Sequence, residues 1–373
     1  MITFDDIDFR YIHAEFIMTN ACNLRCDYCF EHEHVAKNCQ IQSLSYDQVK
    51  EYMDLIIRNR KERNIPDTVP SHINFFGGEP MLCWNTILQI MKEYTSCQFF
   101  RFSVITNGLL VIDEVLSAAR GLNILWQISI DSSNPKGNFY RFKEKSVEKT
   151  THLLNVIKSI TDFGFQPPIV SSVVTDISVN TIYETYDYFA SRRIPIRWQF
   201  MLERIGDQTS MLEDYNRECK RIVNSLVDDP FNIPMLWENT LTYFRAIRGD
   251  GEFYFSPGLS ESPSPNNIYI VGQNGKIYLT TNGLNSLDSS PEFANIGDSK
   301  TGILRDKVVN HHMLKRISRQ LDKTCCECPS LVINPCCIQK QFLVYPGQFK
   351  GNCNTYLATT YFALEYLKQK GEI

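Results

Sequence analysis

The chain has 373 residues, 43% of them apolar, which suffices for a packed core and excludes a disordered or collagen-like polymer. Its 38 Lys and Arg stand against 42 Asp and Glu, a formal charge of -4, and no basic stripe of the kind that phosphate backbones require is present. The N-terminus is acidic and no apolar run approaches the roughly 20 residues that span a bilayer, so the expectation is a cytoplasmic protein with neither nucleic acid nor membrane as partner.

From residue 11 to about residue 201, short runs rich in β-branched and aromatic residues alternate with stretches of helical period, the signature of repeated βα units. The predicted strands are Ala14–Met18, Ile73–Phe76, Phe102–Ile105, Trp126–Ile130, Val170–Val174 and Arg197–Met201. Between the first two, Ser45 and Gln48 have capping-box spacing ahead of apolar Val49, Met53, Ile56 and Ile57. Helices over Asn85–Tyr94, Asp113–Ala119, Val147–Phe163 and Thr181–Ala190 continue the alternation, and helical stretches over Leu212–Val227 and Met235–Ile247 follow it. Six parallel strands with right-handed crossovers make an α/β fold, either an open sheet or a partial (β/α)6 TIM-like barrel. Both put their site at the carboxyl ends of the strands.

Between Gly249 and Asn267 the composition turns to Gly, Pro, Ser and Asn, which marks a linker. A hairpin follows, with Ile268–Val271 and Lys276–Thr280 alternating in polarity around Gln273-Asn274-Gly275. The expected organisation is residues 1–230 as the barrel, 231–267 as helix and linker, and 268–373 as a small α+β domain ending in an amphipathic helix with Tyr361, Leu364 and Leu367.

Thirteen cysteines fall mainly into two groups, Cys22, Cys26 and Cys29 near one end and Cys325, Cys326, Cys328, Cys336, Cys337 and Cys353 near the other. Metal explains this grouping better than a disulfide framework, which belongs to shorter secreted chains. Cys39, Cys83, Cys97 and Cys219 read as small buried hydrophobes. Three thiolates in Cys22-Asn-Leu-Arg-Cys26-Asp-Tyr-Cys29 can wrap one face of a cubane and hold three irons, leaving the fourth iron open to a ligand that is not protein. A structural zinc site wants a fourth ligand, and none of that kind lies nearby. His32 and His34 read as a solvated polar loop and are left out of the site.

The C-x3-C-x2-C spacing with aromatic Tyr28 before its last cysteine resembles the radical S-adenosylmethionine (SAM) superfamily. Phe75-Phe76-Gly77-Gly78-Glu79-Pro80 resembles that family's Gly-Gly-Glu-Pro motif, which binds the methionyl amino group of SAM; glycines admit close backbone approach and Glu79 can accept from an ammonium. A Gly-Gly turn with an N-cap for the next helix is the alternative, and the motif's place at the strand end after the thiol loop favours binding. Ile105-Thr106-Asn107-Gly108 and Ser129-Ile130-Asp131-Ser132 occupy the positions of further cofactor loops. By resemblance the cofactor residues are Tyr28, Gly77, Gly78, Glu79, Pro80, Asn107, Ser129, Asp131, Arg141 and Leu202. Among them Ser129 and Arg141 hold the ribose and carboxylate side, and Phe200-Met201-Leu202 packs on adenine. The resemblance covers about residues 11 to 205.

What the resemblance implies is reductive cleavage of SAM to a 5′-deoxyadenosyl radical that abstracts hydrogen from a substrate, with a flavodoxin or ferredoxin as electron donor. The C-terminal cysteines resemble the SPASM or twitch extension of peptide-maturing radical enzymes. One of its hairpin cysteines falls at Thr280 here, so only one auxiliary 4Fe–4S cluster is expected. Its ligands are Cys325, Cys328, Cys353 and one of Cys336 or Cys337, with Cys326 a spectator and a four-cysteine zinc site as the rival reading. The leading expectation is a maturase of a ribosomally made peptide. Formylglycine formation of the sulfatase-maturase type is demoted, because the residue after Thr280 is Thr281 rather than an aspartate. A small-molecule radical dehydrogenase and a non-catalytic iron-sulfur protein stay open. With the thiol motif starting at residue 22, leader binding is assigned to a separate protein or another surface.

Overall fold

The computed structural model describes residues 12–29, 40–200, 208–226, 268–278, 295–304 and 306–307. Six βα units follow in chain order: β1 (Ile12–Ile17), α1 (Tyr46–Glu62), β2 (Ser71–Phe76), α2 (Trp84–Glu93), β3 (Phe100–Thr106), α3 (Asp113–Ala119), β4 (Ile124–Ser129), a short α4 (Phe139–Phe142), α5 (Ser146–Asp162), β5 (Ile169–Val174), α6 (Ile182–Ala190), β6 (Ile196–Phe200) and α7 (Gln208–Leu226). Four short strands follow among the described residues: β7 (Ile268–Val271), β8 (Lys276–Tyr278), β9 (Asn295–Asp298) and β10 (Gly302–Ile303). Each of the first six strands begins one or two residues before the stretch expected from sequence. The added starts include polar Ser71 and Arg101, which pair through backbone whatever their side chains. β1 ends before Met18 because the Met18 carbonyl leaves the ladder and accepts the Leu44 N–H at 2.8 Å.

Local chemistry explains the entry into α1. The Ser45 hydroxyl accepts the Gln48 N–H at 3.2 Å while the Gln48 side chain accepts the Ser45 N–H at 2.9 Å, the reciprocal box read from their spacing. The helix then buries Val49, Tyr52, Met53 and Ile56. These pack on one face of the sheet, where Phe16 meets Tyr52 edge-on at 6.1 Å and stacks on Phe75 at 6.0 Å. Trp126 of β4 tilts against Trp84 at 5.8 Å on that same face. The core therefore lies between sheet and helices, and the α/β layering follows from strands whose helix-facing side is mostly apolar.

The sheet has the order β10-β9-β8-β7-β1-β2-β3-β4-β5-β6, with β1 to β6 and β7 parallel and the remaining pairs antiparallel. The predicted hairpin is present, and its first strand runs along β1 with His13 opposite Ile268 and Phe16 opposite Val271. The sheet is thus continuous from the βα units into the C-terminal segment. The stretches 235–247 and 249–267, the helix expected to carry Tyr361, and the whole C-terminal cysteine group lie outside the described residues. Among the described residues no helix is long and apolar enough to cross a membrane.

Candidate active site

All the predicted motifs that the structure describes sit at the carboxyl ends of β1 to β4. Cys22, Cys26 and Cys29 lie on the loop that leaves β1, each half-buried and none in a disulfide. The Cys22 Sγ accepts the Leu24 N–H at 3.4 Å and meets the Asn107 amide at 3.9 Å, and that amide also donates to Asn23 at 2.6 Å. The Cys29 N–H closes a turn onto the Cys26 carbonyl at 3.0 Å. Burial pushes the Cys26 thiol up to about 11, partly opposed by the Arg141 cation, and burial likewise raises Cys22. The three sulfurs are electrostatic neighbours, each charge disfavouring the next. A metal centre is what would turn them into thiolates together.

The Gly-Gly-Glu-Pro turn backs onto this loop. A side-chain carbon on Gly78 would lie 2.3 Å from the Ala21 carbonyl oxygen, and one on Gly77, at φ +133°, would lie 2.5 Å from the Thr19 oxygen. The same contact carries hydrogen bonds from Gly78 N–H to Thr19 O at 2.7 Å and from Glu79 N–H to Ala21 O at 2.8 Å. These glycines therefore admit the backbone that leads into Cys22, a role that sequence reading assigned to ligand approach. The Glu79 carboxylate is fully buried and takes three protein donors: Met81 N–H at 3.0 Å, the Thr106 hydroxyl at 2.6 Å and Asn107 N–H at 2.8 Å. It is also the N-cap of the turn Pro80–Cys83, the alternative set aside from sequence. Burial raises its pKa, offset by those donors. Of about four lone-pair directions on a carboxylate, one stays available.

At the end of β4, Asp131 receives the Tyr28 hydroxyl at 2.5 Å, Arg141 Nη2 at 2.9 Å and Nε at 3.3 Å, and the Val173 N–H at 3.1 Å. Tyr28, Asp131 and Arg141 are all buried. The sequence reading gave all three to the cofactor; here Asp131 is consumed by protein donors, and the carboxylate found in the Arg141 fork belongs to Asp131. Ser129 ends β4, half-buried beside Ser171 on the face away from the helices. That face is polar. His13, Glu15, Asn74 and Ser103 are linked across β1 to β3, the Arg197 Nε donates to the Ser171 hydroxyl at 2.9 Å, and Gln127 Oε1 is buried without a hydrogen-bond partner among the described residues.

Residues 16–191 match the family model of the Radical SAM superfamily. The matched stretch runs from β1 to the end of α6, just under half of the chain. It is 24% identical over 230 residues to the radical SAM cyclopropyl synthase TigE of Paramaledivibacter caminithermalis, covering 57% of this chain and 45% of that one. It is 25% identical over 210 residues to GTP 3′,8-cyclase of Peptoclostridium acidaminophilum, covering 55% and 60%. The chain thus spans about half the length of these relatives. Among solved structures, "Native anSMEcpe with bound AdoMet and Kp18Cys peptide" superposes with a TM-score of 0.66 at 16% identity, covering 96% of this chain and 98% of that one.

Three thiols on one loop have the chemistry that an iron-sulfur cubane would require of its ligands. Among the described residues no three His, Cys, Asp or Glu side chains converge as a single metal ion requires, whereas the thiolates of a cubane occupy separate corners. Three neighbouring thiols on one loop, with a buried carboxylate behind, fit that second arrangement. The structure brings together Cys22, Cys26, Cys29, Tyr28, Gly77, Gly78, Glu79, Pro80, Asn107, Ser129, Asp131 and Arg141. Leu202, Cys325, Cys328, Cys336, Cys337 and Cys353 lie outside the described residues. Two residues of the site escaped sequence reading. Thr106 lies in the Ile105-Thr106-Asn107-Gly108 motif, whose letters do not disclose Glu79 as its partner. Asn138 had no signal at all, and it takes the N–H groups of Asp131 and Ser132 at 2.8 and 3.1 Å.

Proposed function

We propose that this radical SAM enzyme abstracts hydrogen from a ribosomally made peptide, forming a cross-link, an epimer or an oxidised residue. The observation that carries the reading is the loop of three adjacent thiols backed at its first cysteine by the Glu79 turn. Cys22, Cys26 and Cys29 would hold a 4Fe–4S cluster, and Glu79, Asn107 and Ser129 would face SAM. When bound, the cluster and SAM supply the one-electron cleavage that generates a carbon radical. The chain's own part is to seat both at the strand ends, exclude water with its buried surroundings, and present the substrate C–H. The sheet would curl into a partial barrel around that space.

A peptide substrate is supported by the solved neighbours crystallised with AdoMet and peptide. Formylglycine formation is the alternative within that class. The polar face with Gln127, Ser171 and Arg197 offers hydrogen bonds to amide groups. A second reading, a nucleotide or other small-molecule substrate, is favoured by the GTP 3′,8-cyclase relative. Cys325, Cys328, Cys353 and one of Cys336 or Cys337 would bind one auxiliary cluster in a C-terminal domain over 268–373. Anaerobic reconstitution tests the reading. About eight irons per chain indicate two cubanes and about four only one. Reduction with SAM should release 5′-deoxyadenosine, with product made only when a peptide encoded beside the gene is added. Turnover of GTP or another small molecule without peptide overturns the peptide assignment, and no 5′-deoxyadenosine overturns the enzyme assignment.

A further inference from the structure

We propose that Asp131 is the positioning residue of this site: one carboxylate orients both the Cys26–Cys29 turn, through Tyr28, and the Arg141 guanidinium, without meeting the cofactor itself. The inference rests on the radical SAM reading above and deepens it.

Every polar atom of Asp131 is bound within the protein. Oδ2 accepts the Tyr28 hydroxyl at 2.5 Å, and Oδ1 accepts Arg141 Nη2, Arg141 Nε and the Val173 N–H at 2.9, 3.3 and 3.1 Å. Its N–H donates to Asn138 at 2.8 Å and its carbonyl accepts the Ser172 hydroxyl at 2.7 Å. The side chain has no exposed surface. Three donors crowd Oδ1 and the Tyr28 hydroxyl caps Oδ2, and with no exposed surface on the side chain the carboxylate is closed to a ligand.

The partners give this hub its consequence. Tyr28 lies between Cys26 and Cys29, and next to it the Asp27 N–H donates to the Tyr140 carbonyl at 3.0 Å while Lys143 pairs with the Asp27 carboxylate. The turn that carries the second and third thiols is therefore docked on residues 131–143. The first thiol is held from β3, by Asn107. Arg141 leaves the same segment, and its guanidinium lies 5.7 Å from the Tyr28 ring. Buried Arg–carboxylate bonds are directional, so Asp131 sets where the remaining N–H groups of Arg141 point. Cysteine corners and guanidinium are thereby fixed by one atom group before any ligand arrives.

The test uses the full chain reconstituted without oxygen, as wild type, Asp131→Asn and Tyr28→Phe. Three readouts are taken: iron and sulfide per chain, the electron paramagnetic resonance spectrum of the reduced cluster with and without SAM, and the SAM concentration that produces half of the spectral change. Expected is near-normal iron in Tyr28→Phe, with an altered SAM-induced spectrum and a half-saturation raised about ten-fold in Asp131→Asn. A role in stability alone would lower melting temperature and yield but leave spectrum and half-saturation unchanged at equal iron. That result in both variants overturns the proposal. Should Asp131→Asn not fold, Tyr28→Phe decides, since it keeps the ring and removes only the hydroxyl. Failure of the wild type to show any SAM-responsive cubane overturns the underlying reading instead, and is thereby distinguished.

Discussion

Glu79 and Asn107 are joined through the Asn107 main-chain N–H, which donates to Glu79 Oε2 at 2.8 Å, while the neighbouring Thr106 hydroxyl donates to Oε1 at 2.6 Å. One carboxylate thus ties the ends of β2 and β3 together directly behind Cys22. A motif residue expected to meet a ligand is at the same time a structural tie.

Removing that tie should be measurable without any cofactor. Glu79→Ala strands three buried donors, those of Met81, Thr106 and Asn107. Each unsatisfied donor costs about 1–3 kcal/mol, and relief of a buried charge returns part of it, so a net loss of roughly 2–4 kcal/mol is expected in urea unfolding of the apoprotein. Glu79→Gln keeps one acceptor oxygen and should lose about half as much. A change below about 0.5 kcal/mol for Glu79→Ala would show that the carboxylate ties nothing.

Gly78 and Gly121 separate close approach from ordinary glycine freedom. A methyl on Gly78 would press on the Ala21 carbonyl carbon and oxygen, both backbone atoms that cannot move without shifting Cys22. Gly121 has φ +82° and open space around it, so Gly121→Ala should cost about 1 kcal/mol of backbone strain and leave iron binding intact. Gly78→Ala should retain less than about half of the wild-type iron after reconstitution and desalting. Equal iron in the two variants would refute the close-approach argument.

The thiols divide by place in the fold. Cys22, Cys26 and Cys29 share the loop after β1, whereas Cys83 closes the turn Pro80–Cys83 and Cys97 lies between α2 and β3. Replacing any one of the first three by Ala should abolish the SAM-responsive cluster signal, and replacing Cys83 or Cys97 should leave it within about 20% of wild type. Loss of that signal in Cys83→Ala at normal stability would reopen the ligand assignment.

His72 gives the fold a pH dependence. Burial, reinforced by His13 and Arg101, pushes its pKa down to about 4. The unfolded chain takes up the proton near 6.5, so stability carried by neutral His72 is complete above about pH 6.5 and is lost as pH falls toward about 4. With a discount for partial exposure, the loss is about 1–2 kcal/mol. Comparing urea unfolding at about pH 7.5 and about pH 5, His72→Asn should flatten the difference by that amount. An unchanged slope would assign the acid sensitivity to other groups.

Local order was legible from the sequence alone: the alternation of strands and helices, the Ser45 box, the Asn-Gly hairpin, and the placing of the thiol and Gly-Gly-Glu-Pro loops after the first two strands. Periodicity, caps and spacing act over a few residues, and so they are written in neighbouring letters. Tertiary structure alone decided the partners. Tyr28 and Asp131 are 103 positions apart, and Tyr52 and Gly275, whose hydroxyl and carbonyl meet at 2.8 Å, are 223 apart. Parallel pairing of β1 with β7 likewise brings a late strand beside the first. A carboxylate or a glycine carries no mark of which group it will meet, because that depends on where separate strands end and which way their side chains point. For that reason Asp131 read as a ligand contact in the sequence and stands in the structure as the anchor of Tyr28 and Arg141.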